Sequence, residues 1–336
     1  MLKKLFQPVD MTVGTPWKSI LIFSLPMLIG NIAQQLYSTV DSIIVGQYVG
    51  DNALAAVGSS MPILNMLLVL FIGISAGATI MTAQYFGAKQ RDNLSHTIGT
   101  SLTVTLICSL FLMIVMAPLV RPILKLLNTP TSIFNDCANY LLISLYGIAG
   151  MAYYNILSGI LRGMGDSISS LVYLVIATVI NIFLDILFVS KFNMGVAGVA
   201  IATVIAQAIS SALCIIKLTK LKNTFDLKLS HLKPSKLHVE QLIKLGLPSG
   251  ITQAVFSSAM IVVQSLTNRF EEMFIAANVI IMRVDGFAML PNFSFGTALT
   301  TYAGQNFGAD KYDRIAKGYY PIFLKNQKPF FYFQLF

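Results

Sequence analysis

The chain has 336 residues, of which 55% are hydrophobic and 11% charged, with a net charge of +9 and a mean hydropathy of +0.73. Soluble domains carry about 25% charged residues, so the composition excludes a soluble globular protein. A β-barrel would show short alternating strands rather than the long apolar runs found here. Lys and Arg fall between those runs, as in the loops of membrane proteins, which argues against nucleic acid as a partner. The class is an all-α polytopic membrane protein.

Eight spans follow in chain order, at about 17–45, 53–84, 96–118, 138–160, 169–190, 195–218, 241–266 and 274–303. The first lies too far in and runs too long for a cleavable signal, so it is expected to remain as a membrane helix. Alternate connections hold 16 of the 23 basic residues, which predicts a cytoplasmic N-terminus and a cytoplasmic 219–240 connection. That connection is expected to be a solvated charged linker. Cys108, Cys137 and Cys214 have no metal-binding spacing and are read as small buried hydrophobes.

An internal repeat refines the architecture. Leu25-Pro26 matches Leu247-Pro248, Ala55-Ala56 matches Ala276-Ala277, and Gln84-Tyr-Phe-Gly-Ala88 matches Gln305-Asn-Phe-Gly-Ala309. The separations are 222, 221 and 221 residues, so one gap aligns all three. The repeat restarts after six spans, and an even number of crossings makes the two units parallel. The expectation is a six-helix N-terminal lobe over 1–218, a linker over 219–240 and the first two helices of a second lobe over 241–318. The aromatic stretch 319–336 reads as a truncation or frameshift product.

Three carboxylates lie inside apolar spans: Asp41, Asp185 and Asp285. Ionised groups in hydrocarbon are costly and usually face a bundle interior or water-filled path. Gln34, Tyr37 and Asp41 recur at i, i+3 and i+7, on one face of span one. Asn181 and Asp185 share a face of span five, and Thr203 lies at similar depth in span six. Two carboxylates, an amide and a hydroxyl can form an all-oxygen cation site, a proton-sharing pair or a structural polar knot. Asp285 stands two residues from Arg283, which can neutralise it. Gly73-x-x-x-Gly77 and Gly195-x-x-Gly198 are read as helix-packing surfaces. Gly163-Met164-Gly165-Asp166 also fits an intramembrane aspartyl protease, but Asp166 falls in a turn, so that reading is set aside. No enzymatic motif is present, and no cofactor is expected.

Together, Leu25-Pro26, Asp41-x-Ile-Ile-Val-Gly-Gln47, Gln84-x-Phe-Gly-Ala88 with its repeat, Leu161-Arg-Gly-Met-Gly-Asp166 and Asn181-x-x-x-Asp185 resemble the multidrug and toxic compound extrusion (MATE) family of transporters. The resemblance spans residues 15 to about 318. It implies two six-helix lobes around a central cavity and location in the plasma (inner) membrane. It also implies export of small amphipathic, often cationic compounds in exchange for Na⁺ or H⁺, with membrane lipids as surroundings. In the DinF-like and archaeal branch, the matching positions assign cation or proton coupling to Asp41, Asn181, Asp185 and Thr203. Gln34, Tyr37 and Asn155 match substrate-cavity positions, and Asp285 is a further candidate for that cavity. The Glu that the NorM-like branch carries in helix seven is missing from span seven. A lipid-linked oligosaccharide exporter is the alternative; it would need a basic groove, and only Arg283 lies well inside a span.

Overall fold

The computed structural model describes residues 7–222, 224–226, 228–267 and 272–323. The described residues are helical throughout, without strands. The helices are α1 (Pro16–Tyr48), α2 (Asp51–Gly87), α3 (Arg91–Met116), the short α4 (Val120–Leu126), α5 (Phe134–Tyr146), α6 (Ile148–Gly163), α7 (Ser167–Ile186), α8 (Gly195–Lys220), α9 (Lys236–Thr267), α10 (Glu272–Gly308) and α11 (Tyr312–Phe323). Five of them are each long and apolar enough to cross a membrane, and α5 with α6 makes a sixth crossing if the pair is one span. The seventh and eighth expected spans are the continuous helices α9 and α10, of 32 and 37 residues. Outward faces carry bare apolar side chains such as Ile22, Phe111, Ile114 and Phe183, as expected for surfaces that meet lipid rather than water.

Span four departs from the straight helix expected: α5 and α6 meet at 52°. The break falls at Gly147, where a Cβ would run into the Val204 side chain of α8. Only glycine fits that approach, and the chain changes direction there.

The repeat is visible as packing. A Cβ on Gly87 would strike the backbone carbonyl of Gln305, and one on Gly308 would strike that of Gln84. The two copies of the motif therefore cross each other reciprocally, α2 against α10. On α2, Gly73 and Gly77 lie equally close to Gly246 and Leu242 of α9, the role expected of that glycine pair. With no side chain between them, helix backbones touch, and dispersion over the shared length replaces the hydrophobic drive that lipid cannot supply.

The N-terminal segment straps this crossing. The Met11 amide donates to Gln305 Oε1 at 2.8 Å, and Gln305 Nε2 donates to the Gly163 carbonyl at 3.1 Å. Arg314 Nη1 donates to the Gly14 carbonyl at 2.9 Å. The connection after α8 is also less loose than a solvated linker. Phe225 is buried in the main core, the Asp226 amide donates to Ser95 Oγ at 3.0 Å, and Thr103 Oγ1 donates to the Leu232 carbonyl at 2.6 Å. One aromatic side chain gives the connection an apolar foothold on the bundle, which its overall charge hides. Residues 324–336, Arg269 and the side chain of Arg283 lie outside the described residues.

Candidate functional site

Asp41 sits seven residues before the end of α1, on the face that packs against α7. Asp185 lies in the last turn of α7, immediately before a single π-helical turn, Leu187–Lys191. Such widened turns recur at functional positions. Asp41 is 5% exposed, Asn181 1% and Asp185 0%. Asn181 Nδ2 donates to Thr203 Oγ1 at 3.3 Å, and that hydroxyl also shares a 3.3 Å hydrogen bond with the Tyr37 hydroxyl. The carboxyl groups of Asp41 and Asp185 are close enough to interact directly. Thus α1, α7 and α8 bring Tyr37, Asp41, Asn181, Asp185 and Thr203 into one polar cluster, as their helical spacing suggested.

The cluster is not closed by its own bonds. Asp41 Oδ1, both Asp185 oxygens and Asn181 Oδ1 are buried without a hydrogen-bond partner among the described residues. Nor does any Lys, Arg or His among them form a salt bridge with either carboxylate. Buried polar atoms are satisfied in the great majority of cases, so apart from the contact between the two carboxyl groups this set has capacity for a further partner. An all-oxygen, acid-bearing set of this kind suits a hard cation or a proton. Sequence reasoning missed Tyr140 of α5, which is buried within electrostatic reach of both carboxylates. A lone Tyr in an apolar span gives no periodic signal that could single it out.

Farther along α1 the wall opens. Gln34, with Pro26, Gly30 and Asn31, lines a cavity of about 80 Å³ that Asn155 and Arg162 close from α6. A larger cavity of about 440 Å³ lies between α2, α6, α9 and α10, and Asn155 and Arg162 line it too, opposite Asn292 and Thr297. Gln34 further borders a cavity of about 290 Å³ beside Leu290 and Phe293 of α10. Gln34 and Asn155 therefore meet in one region, whereas Tyr37 belongs to the carboxylate cluster. Asp285 stands exposed on α10 and is not part of the cluster or of these walls.

Arg162, near the end of α6, lines the bundle interior. Its Nη1 donates to Ser158 Oγ at 3.1 Å and to Ser170 Oγ at 3.4 Å, while Nε is buried without a partner. The nearby acid, Asp166, is engaged elsewhere. It caps α7 by accepting from the Ser169 amide at 2.9 Å and pairs with Lys217 at 3.4 Å. That cap explains the Gly-x-Gly-Asp sequence without any protease chemistry.

The fold and the polar interior define a polytopic helical membrane protein with a buried acidic cluster, and residues 26–187 and 248–324 match the MatE family model. The chain belongs to the MATE family. It is 32% identical over 306 residues to the probable multidrug resistance protein YoeA of Bacillus subtilis, covering 89% of this chain and 66% of that protein. It is 25% identical over 293 residues to the probable multidrug resistance protein NorM of Thermotoga maritima, covering 86% and 62% respectively. Among solved structures, an outward-facing multidrug resistance MATE transporter matches with a TM-score of 0.87 at 27% identity, over 93% of this chain and 70% of that one. A transporter of the same superfamily from Pyrococcus furiosus matches at 0.86 and 26%, with the same coverage. The chain thus spans about two-thirds of the length of the curated relatives that it matches.

Proposed function

We propose that this chain works as a MATE-type secondary antiporter of the plasma membrane, with its N-terminus cytoplasmic. In this reading it exports small amphipathic, often cationic compounds in exchange for Na⁺ or H⁺. The observation that carries it is the set of four buried, unpartnered oxygens on Asp41, Asn181 and Asp185. A cation or proton entering the set satisfies them and removes the repulsion between two carboxylates in a medium of low dielectric. Asp41, Asn181, Asp185 and Thr203 carry the coupling; Gln34 and Asn155 contact the exported compound, and Tyr37 links the two regions through its bond to Thr203.

Helix α1 is the element both ligands share. Its Pro26 lacks an amide hydrogen and weakens the helix about two turns before Gln34, and the helix continues to Asp41. Drawing Asp41 toward Asp185 therefore shifts the cavity wall at Gln34, and substrate and ion bias the same two-state helix in opposite directions. Arg162 adds a cation to the wall, which favours compounds that also present a hydrogen-bond acceptor. One guanidinium does not make a basic groove for polyphosphate, so the oligosaccharide-exporter reading is not adopted. Efflux of a fluorescent cationic dye from cells expressing Asp41→Asn tests the proposal. Efflux should vanish while the protein stays in the membrane fraction; undiminished efflux contradicts the coupling role.

A further inference from the structure

The chain contains three histidines in all, and the fold gathers them in one place from three separate segments. His96 lies in the second turn of α3, His231 in the 3₁₀ turn Leu229–Leu232 of the connection, and His238 in the first turn of α9. The His96 ring lies 4.6 Å from the His231 ring, edge to face, and 5.5 Å from that of His238. Asp92, one turn before His96, reaches both neighbours: Oδ2 is 3.9 Å from His96 Nε2 and Oδ1 is 3.6 Å from His231 Nε2.

We propose that Asp92, His96 and His231 bind a divalent transition-metal ion of the zinc class, where the connection between the two repeat units docks on α3. One ligand atom from each of these residues lies within 4.8 Å of the other two. Tetrahedral zinc with bonds of about 2.0–2.1 Å sets its ligand atoms about 3.4 Å apart. The two Asp–His contacts, made through different carboxylate oxygens, are 3.9 and 3.6 Å, and the set with one atom per residue closes to that spacing from at most 4.8 Å. Imidazole with carboxylate is a donor set suited to zinc, nickel and copper rather than to magnesium or calcium.

A second observation points to a ligand independently of that spacing. His238 is 4% exposed, and neither of its ring nitrogens has a hydrogen-bond partner among the described residues; His96 Nδ1 is also buried without one. A purely structural stack would leave three buried polar atoms unsatisfied, a cost that an apolar side chain would not carry. The fourth position of a tetrahedral site is left to water or a further ligand. Asp92 is 82% exposed, which leaves an entry path.

Loading the site has a structural consequence. His231 Nδ1 accepts from the Lys228 amide at 3.2 Å, so in the metal-free state its Nε2 carries the proton. When Nε2 binds metal, that proton moves to Nδ1, which can no longer accept from Lys228. The turn must then rearrange, so the bound metal both anchors the connection to α3 and resets its local geometry.

The test uses the full chain, purified in detergent without a polyhistidine tag, so that these are the only histidines present. Zinc competition against a chromophoric chelator and visible absorption of the cobalt(II)-loaded protein are the readouts. Expected are one metal per chain, the absorption bands of tetrahedral cobalt, and at least tenfold weaker binding in both His96→Gln and His231→Gln. Asp92→Asn, at an exposed position, should weaken binding without changing the metal-free melting curve, which separates ligation from folding. No stoichiometric zinc binding, or binding unchanged in all three variants, overturns the proposal.

Discussion

Helix α1 and its repeat partner α9 occupy corresponding places in the two units, yet they are built for different work. Both carry Leu-Pro at the same register, and both belong to a frame in which glycine-rich helices cross at backbone contact. The separations that align the repeats put Val262 or Val263 where the first unit has Asp41. Asp41 is 5% exposed against α7, while Val262 is 58% exposed. In the helices of the second unit present here, the Leu-Pro and Gln-x-Phe-Gly-Ala elements recur, while an apolar residue takes the place of Asp41.

That contrast can be broken from either side. The largest effect should come from Asp41→Asn or Asp185→Asn, which should abolish coupled efflux with little change in membrane insertion. Placing an acid at Val262 should not restore transport to either variant, because α9 packs chiefly on α2, away from Asn181 of α7 and Thr203 of α8; recovery would refute the asymmetry. The frame should fail differently. Gly87→Leu forces a side chain into the Gln305 backbone and should cost about 3 kcal/mol or more, read as a drop in the melting temperature of the purified chain. Asp166→Ala removes a helix cap and the ion pair to Lys217, and about 1–2 kcal/mol of destabilisation is expected in the same assay. Smaller again, Arg162→Gln should leave the melting temperature nearly unchanged and shift the preference among exported compounds toward those without an acceptor group. An unchanged preference would remove Arg162 from the cavity's recognition surface.

Much of this organisation was legible in the sequence, for a physical reason. In an apolar span a carboxylate has no background to hide in, so Asp41 and Asp185 stand out, and 3.6-residue periodicity then joins Asp185 to Asn181 and Asp41 to Tyr37. The Gly73-x-x-x-Gly77 pair marked a packing surface on α2, which the structure sets against α9, whereas the crossing of α2 and α10 at Gly87 and Gly308 was legible only as a repeat. Three features were not legible. The break at Gly147 depends on Val204, 57 residues away in the chain, and Tyr140 joins the carboxylates through tertiary packing alone. Arg162 looked like a flanking charge because nothing in its local sequence shows that it turns into the cavity wall. The histidine cluster is the extreme case: His96 and His231 are 135 residues apart, and only docking of the connection through Phe225 brings them together. Asp285 stands exposed on α10, apart from the carboxylate cluster.

The central claim is that the Asp41–Asp185 cluster converts ion binding into movement of the exported compound. The most direct test is counter-flow in proteoliposomes, with ion movement recorded while an amphipathic cationic dye is driven down its own gradient. The wild-type chain should move Na⁺ or H⁺ against the dye, and Asp185→Asn should abolish that movement without reducing the protein's incorporation into the vesicles. Dye-driven ion movement of wild-type size in Asp185→Asn would contradict the account.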